Sequence, residues 1–172
     1  MNRKIKFRES FRPFAPCVLK EDLHQYFNML DGQDSPYMLL TAQVNKDKCL
    51  PLTVPPEKLK GLDKLKVKRS IIPAITHVDY SARLQTVDAE RNPKLHRLMS
   101  RFKEKTGCPV IINTSFNIRG EPIVCSPEHA YRCFMATNMD VLVMENQILY
   151  KQQQPQATQH EVDEYKAQFE TD

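Results

Sequence analysis

The stretch from Asn92 to Asn117 constrains the fold of this chain more than any other. Asn92-Pro93 joins a good helix cap to a proline at the first helical position. Leu95, Leu98, Met99 and Phe102 then recur along one helical face, and Gly107 is placed to end the helix. Pro109-Val110-Ile111-Ile112 follows at once, short, apolar and β-branched, which predicts a buried strand. A helix that feeds a buried strand closed by a polar turn belongs to an α/β fold.

The flanking sequence repeats the alternation. The first nineteen residues open basic and then carry Phe11-Arg12-Pro13-Phe14-Ala15-Pro16, where two prolines exclude a regular helix and predict extended or turning chain. Leu23, Tyr26, Phe27 and Leu30 fall at helical spacing, so a helix is expected from Glu21 to Leu30, stopped by Asp31-Gly32. Tyr37 to Val44 reads as a strand. Asn45 to Arg69 is rich in lysine and proline and predicts an exposed excursion with a short helix near Pro56–Leu65. Ile71 to Ile75 returns to the core, and Arg83 to Val87 alternates like a half-buried strand. Ser126-Pro127 opens a further helix with Ala130, Cys133, Phe134 and Thr137 on its apolar face, and Asp140–Met144 with Gln147–Tyr150 form a closing pair of strands. The expected architecture is a single α/β domain over residues 1–150, a mixed sheet flanked by helices. Residues 151–172 form a polar, acidic tail, either a loosely held helix or disordered.

Composition removes several functions. A net charge of +4 suits anionic ligands but is far from the basic stripe of a nucleic-acid binder. No run of eighteen apolar residues exists, so no membrane span is expected, and Met1-Asn2-Arg3-Lys4-Ile5-Lys6 lacks the apolar core of a signal peptide. The 5 cysteines are scattered without CxxC spacing. They predict neither a disulfide framework nor a zinc site, and they fit reduced thiols in a cytoplasmic protein.

Three segments carry side chains suited to chemistry. Lys4, Lys6, Arg8 and Arg12 lie within nine residues; on an extended chain Lys6 and Arg8 share a face and could grip phosphate, Arg through its fork and Lys as a point charge. Taken alone, such a run also reads as a solvated basic terminus. Asn113-Thr114-Ser115-Phe116-Asn117 ends the buried strand, the position where α/β sheets bind ligands. Ser115 and Asn117 offer a hydroxyl and an amide, Asn117 tolerates a left-handed turn, and Gly120 permits close backbone approach. An ordinary polar turn is the equal alternative. Thr76-His77-Val78-Asp79, followed by Arg83, could add an orienting imidazole and a further cation, although a structural histidine is the default. No GxSxG elbow surrounds Ser115, no metal spacing accompanies His77, and neither GxGxxG nor a Walker A loop occurs. With only 4 glycines, any phosphate must be held mainly by side chains.

Together these strings resemble one family. Ile5-Lys6-Phe7-Arg8-Glu9, Phe11-Arg12-Pro13-Phe14-Ala15-Pro16, Ser35-Pro36-Tyr37-Met38, Pro73-Ala74-Ile75-Thr76-His77-Val78-Asp79, Arg83-Leu84-Gln85-Thr86-Val87, Thr106-Gly107-Cys108-Pro109-Val110 and Asn113-Thr114-Ser115-Phe116-Asn117 with Glu121-Pro122-Ile123-Val124 resemble, in order, the C-terminal domain of the nodulation-protein-type O-carbamoyltransferases. The resemblance runs from about residue 2 to residue 145. It implies a YrdC-like twisted sheet and a KxR … SxN nucleotide site whose ends, Lys6-Phe7-Arg8 and Ser115-Phe116-Asn117, meet across the sheet. It implies carbamoyl phosphate and ATP, with magnesium, as reactants and a carbamoyl adenylate as product, with no transition metal held by this domain. Lys6 and Arg8 would clamp phosphate with support from Arg12 and Arg83. Ser115 and Asn117 would fix the nucleotide or carbamoyl group, aided by Thr114 and Gly120, and His77 and Asn113 would orient the carbamoyl end. The family's N-terminal ATPase-like domain, which passes the carbamoyl group to an acceptor hydroxyl, is expected as the missing partner. Two alternatives stand beside this: a threonylcarbamoyl-adenylate synthase acting in tRNA modification, and a catalytically silent fragment that binds nucleotide or a partner chain.

Overall fold

The computed structural model describes every residue except 53, 54, 56, 57 and 170–172. Its internal contacts divide the chain into two compact units, Pro13–Thr114 and the combination of Met1–Arg12 with Ser115–Asp172.

The Pro13–Thr114 unit is built on a five-stranded mixed sheet. Its strands are β1 (Ala15–Leu19), β2 (Phe27–Asn28), β3 (Leu40–Val44), β4 (Ser81–Val87) and β5 (Val110–Asn113), in the order β2-β3-β4-β1-β5. β1 runs parallel to β4, and every other pairing is antiparallel. Alternation along the strands sends side chains to two clusters. Val18, Ala82 and Leu84 pack with Phe14, Phe27 and Val44, while Cys17, Leu19 and Val87 pack with Met99 from helix α2 (Pro93–Thr106). The helix between β1 and β2, α1, spans only Leu23–Tyr26.

α2 and β5 form where the sequence predicts, but the Asn92 side chain makes no capping bond, and β5 is an edge strand of which only Val110 is buried. Pro93 sits in the first turn, Gly107 closes the helix at φ 73°, and its amide bonds back to Lys103. The apolar face is narrower than expected: Met99 is fully buried and Leu95 packs beneath it, but Leu98 and Phe102 are exposed. α1 is shorter than its periodicity suggests. Phe27 leaves the helix in extended conformation to pair with Val44, gaining complete burial, so Leu30 is left at 71% exposure. β3 begins three residues later than expected because Met38 adopts a left-handed conformation. β4 is more buried than a half-exposed strand, since β3 and β1 flank it on both edges; only Arg83 along it is exposed. In the lysine-rich excursion the described residues hold short 3₁₀ turns at Lys46–Lys48 and Gly61–Leu65. Part of the short helix expected near Pro56–Leu65 lies outside the described residues.

The second unit joins the chain's first twelve residues to everything after Thr114. Ser126 caps helix α3 (Pro127–Met135) by accepting from the His129 amide, and Ala130, Cys133, Phe134 and Thr137 are buried as predicted. Strands β6 (Val141–Met144) and β7 (Gln147–Tyr150) form a separate antiparallel ribbon whose Leu142 and Leu149 pack on Phe134. Helix α4 (Gln159–Ala167) lies in the acidic tail and starts with a capping box between Thr158 and Glu161. Asn2–Lys6 is a single π-helical turn, with Phe7 left-handed at φ 47°. An extended N-terminus does not exist there: the Ile5 amide closes onto the Met1 carbonyl, and the Lys4 carbonyl accepts from Asn138.

Candidate functional site

The helical turn at Asn2–Lys6 sends the Lys6 side chain inward, where only 4% of the residue is exposed. Its ammonium meets the Ser115–Asn117 turn from 109 to 111 residues away in sequence. Nζ lies 2.8 Å from the Ser115 carbonyl, 2.7 Å from the Asn117 carbonyl and 2.6 Å from Asn117 Oδ1, with Ser115 Oγ at 3.4 Å. An ammonium has three N–H groups, and these three short bonds use them all. Ser115 Oγ donates to the same Asn117 Oδ1 at 2.7 Å, and Asn117 Nδ2 donates to the Glu121 carbonyl at 2.7 Å, which fixes the orientation of the Asn117 amide. Burial, with the Arg8 charge adding to it, lowers the Lys6 pKa below its usual value, while Cys133 and Glu121 act the other way. Asn117 is not the left-handed residue of this turn; Gly120 is, at φ 79°.

Arg8 and Arg12 are arranged by a residue that the motif does not include. Asn2 is buried, its Oδ1 accepts from Arg8 Nε at 2.8 Å, and its Nδ2 donates to the Arg12 carbonyl at 2.7 Å and the Ser10 carbonyl at 3.3 Å. Arg8 is half-buried and Arg12 exposed, so the two guanidiniums are presented from a folded loop rather than from one strand face.

In the sheet-bearing unit, His77 Nδ1 is 2.9 Å from Ser81 Oγ, and the Ser81 hydroxyl donates to Asp79 Oδ1 at 2.7 Å. The serine has one proton, spent on Asp79, so His77 must donate from Nδ1. Those two bonds hold the ring and leave Nε2 as its other polar atom. The Ser81 hydroxyl and amide hold the Asp79 carboxyl below the usual carboxylate range. Asn113 ends β5 opposite Ala15, and its amide donates to Gln85 Oε1, which also accepts from the Cys17 thiol at 3.1 Å. Thr114 is half-buried beside it, and Arg83 is the exposed side chain of β4.

A family model described as the carbamoyltransferase C-terminus matches residues 1–151. The chain belongs to the carbamoyltransferase C-terminal family. It is 55% identical over all 172 residues to an uncharacterized protein of Synechocystis sp., covering 27% of that protein. It is 37% identical over 145 residues, 84% of the chain, to the nodulation protein NolO of Bradyrhizobium diazoefficiens, and covers 23% of it. It is 36% identical over 121 residues, 70% of the chain, to the 3'-hydroxymethylcephem-O-carbamoyltransferase of Amycolatopsis lactamdurans, and covers 19% of it. The chain thus spans about a quarter or less of the length of these relatives.

Within this carbamoyltransferase C-terminal domain, sequence reasoning missed the groups that stand behind the motif residues. Glu121 is nearly buried; one carboxylate oxygen accepts from the Ile118 amide at 2.7 Å and the other from the Tyr165 hydroxyl. Burial raises the Tyr165 phenol well above its usual value, with the Glu121 and Cys133 contacts acting in the same direction. Burial likewise pushes the Cys133 thiol up to about 12. Gln85 does for Asn113 what Glu121 does for Asn117. A signal for both existed, since a polar residue in a strand of buried neighbours, or inside a turn, needs a partner. Among the described residues no group of three or more His, Cys, Asp or Glu could hold a metal, and no helix is long and apolar enough to cross a membrane.

Proposed function

We propose that this chain is the carbamoyl-adenylate-forming part of an O-carbamoyltransferase. The observation that carries the reading is the junction of Lys6 with Ser115 and Asn117, residues more than a hundred positions apart that converge through bonds of 2.6 to 2.8 Å. Membership of the carbamoyltransferase C-terminal family and the O-carbamoyltransferases among its relatives support it.

In the proposed reaction, water splits carbamoyl phosphate into carbamate and phosphate. A carbamate oxygen then attacks the α-phosphorus of ATP; the new C–O–P linkage forms as the bond to the β-phosphate oxygen breaks, and pyrophosphate leaves with the electron pair. Negative charge is shared between the attacking and leaving sides, so fixed cations and donors contribute most where that charge develops. Lys6 and Arg8 supply the positive charge, with Arg12 beside them. Asn117 Nδ2 keeps one proton to offer the phosphates or the carbamoyl group, the Ser115 hydroxyl would turn from Asn117 Oδ1 to do the same on binding, and Gly120 keeps the turn's backbone compact. The resemblance gives His77 and Asn113 the carbamoyl end, Arg83 a supporting charge and Thr114 a further hydroxyl. Magnesium would arrive with the triphosphate, whose oxygens and water complete its ligands. Transfer to an acceptor hydroxyl is assigned to the part of the relatives that lies outside this match.

The test is pyrophosphate release from ATP. Carbamoyl-phosphate-dependent release is expected from the parent chain and lost in Lys6→Ala and Arg8→Ala. Near-normal release from both variants refutes the site, and release that depends instead on threonine and bicarbonate assigns the chain to threonylcarbamoyl-adenylate chemistry.

A further inference from the structure

We propose that the C-terminal segment Thr158–Phe169 is a strap that positions the Lys6–Ser115–Asn117 site, with Glu121 and Tyr165 as its positioning residues. This deepens the proposed function and rests on it only where nucleotide binding is concerned.

Three independent contacts tie the segment to the site. Tyr165 of α4 donates its hydroxyl to Glu121, the carboxylate that accepts the Ile118 amide and whose own carbonyl accepts the Asn117 side-chain amide. Phe169 brings its carbonyl against Gly120, where any Cβ would run into it, and Tyr165 and Phe169 stack edge to face with centroids 5.3 Å apart. Lys166 lies with its ammonium 4.1 Å from the centre of the Phe7 ring, and Phe7 is the left-handed residue between Lys6 and Arg8. The strap therefore touches the turn from both motif strings: once at Phe7 and twice at Gly120-Glu121.

The segment packs few apolar side chains: Val162 and Tyr165 are half-buried beside Tyr131 and Met135 of α3. α4 has no fully buried residue, and its acidic and glutamine side chains face outward. The capping box at Thr158 starts the helix, and the Tyr165–Glu121 bond fixes where it lies. The family model ends at residue 151, yet the Synechocystis relative matches through residue 172. The segment is thus covered by the match to that relative and lies beyond the family model. A turn that must present a hydroxyl and an amide in fixed geometry gains from such support, because each rotamer held in advance need not be ordered on binding.

The experiment uses the full chain with Tyr165→Phe, which keeps the ring against Phe169 and removes only the hydroxyl. Exchange of the Ile118 amide is followed against the Leu142 amide in β6 as control, and ATP affinity is measured by calorimetry. Exchange at Ile118 should accelerate about tenfold with Leu142 unchanged, and ATP should bind about 5- to 10-fold more weakly, the effect of one lost buried hydrogen bond. Lys166→Met, which removes the contact with Phe7 and leaves Glu121 intact, should weaken ATP binding in the same direction. Unchanged Ile118 exchange, or tighter ATP binding, overturns the strap. If Tyr165→Phe does not fold, Lys166→Met decides by the same readouts. If the parent chain binds no ATP, the proposed function fails, and the strap stands or falls on Ile118 exchange.

Discussion

Lys6→Met isolates the group on which the site turns. Methionine fills much of the same volume and removes only the ammonium and its three hydrogen bonds. Each bond from a charged donor is worth about 1.5–3 kcal/mol, and an acceptor left buried without a partner costs about 1–3 kcal/mol. Two of the acceptors are backbone carbonyls of one turn and the third is an amide that keeps its bond from Ser115, so the losses do not simply add. Against them stands the cost of holding a charge away from water, visible in the lowered Lys6 pKa. The net destabilisation is about 2–4 kcal/mol, which for a chain of this size lowers Tm by roughly 5–15 °C. Scanning calorimetry at pH 7 reads it directly. A Tm within ~1 °C of the parent would show that the ammonium does not hold the turn. The pH dependence gives a second check. Because the folded pKa lies below the usual 10.5, the unfolded chain binds more protons between the two values. The cost of burying the charge is therefore fully present below the folded pKa and disappears as pH rises to 10.5. The parent should gain on the Met variant over that window, and a gap that narrows there would contradict the burial of a charged Lys6.

Two further outcomes follow from burial. Cys17 and Cys133 are buried with pKa values of about 11 and about 12, so at pH 8 their thiolate fraction is on the order of 10⁻³ or less, and iodoacetamide should label the exposed Cys125 first. A thiol whose folded pKa is raised keeps its contribution to stability below the usual value and loses it as pH climbs through the folded one. Tm should therefore fall between pH 9 and 12, less steeply in Cys133→Ala; mass spectrometry and melting curves read the two effects. Phe27→Ala, at a fully buried position where helix becomes strand, should cost about 3–5 kcal/mol by urea denaturation, and a loss under ~1 kcal/mol would mean that the side chain does not anchor β2.

The mixed α/β class, α2 with its stop at Gly107, β5, α3 and the β6–β7 ribbon could all be read from the chain, because in each of them local preference and tertiary packing agree. Reading failed where they diverge. Leu23, Tyr26, Phe27 and Leu30 keep helical spacing, but Phe27 gains more by pairing with Val44 than by continuing a helix. Leu98 and Phe102 match the apolar period of α2 and yet are exposed, because a period marks a face without showing how much of it is covered. At the site, the residues at the two motif ends were legible and their arrangement was not. Lys6 and Arg8 would share a face on an extended chain, but the helical turn at Asn2–Lys6 buries one and leaves the other held by the Asn2 side chain.

The tail shows why some functional structure escapes hydrophobic periodicity altogether. α4 carries only Val162, Tyr165 and Lys166 at half-burial, too few to draw an apolar stripe among its acids and glutamines. Beside that small apolar contact, its ties to the site are one phenol hydroxyl, one carbonyl against a glycine and one ammonium over a ring. Directional contacts of that kind leave no period. The local sign that did exist was Thr158-x-x-Glu161, a capping box that predicts a helix start whatever follows it. The sign at the receiving end was Gly120 with Glu121. The glycine's left-handed backbone and missing Cβ leave room for a neighbouring carbonyl, and the nearly buried carboxylate beside it requires donors. The Ile118 amide supplies one and Tyr165 the other, so Glu121 is the residue through which the tail reaches the Asn117 turn.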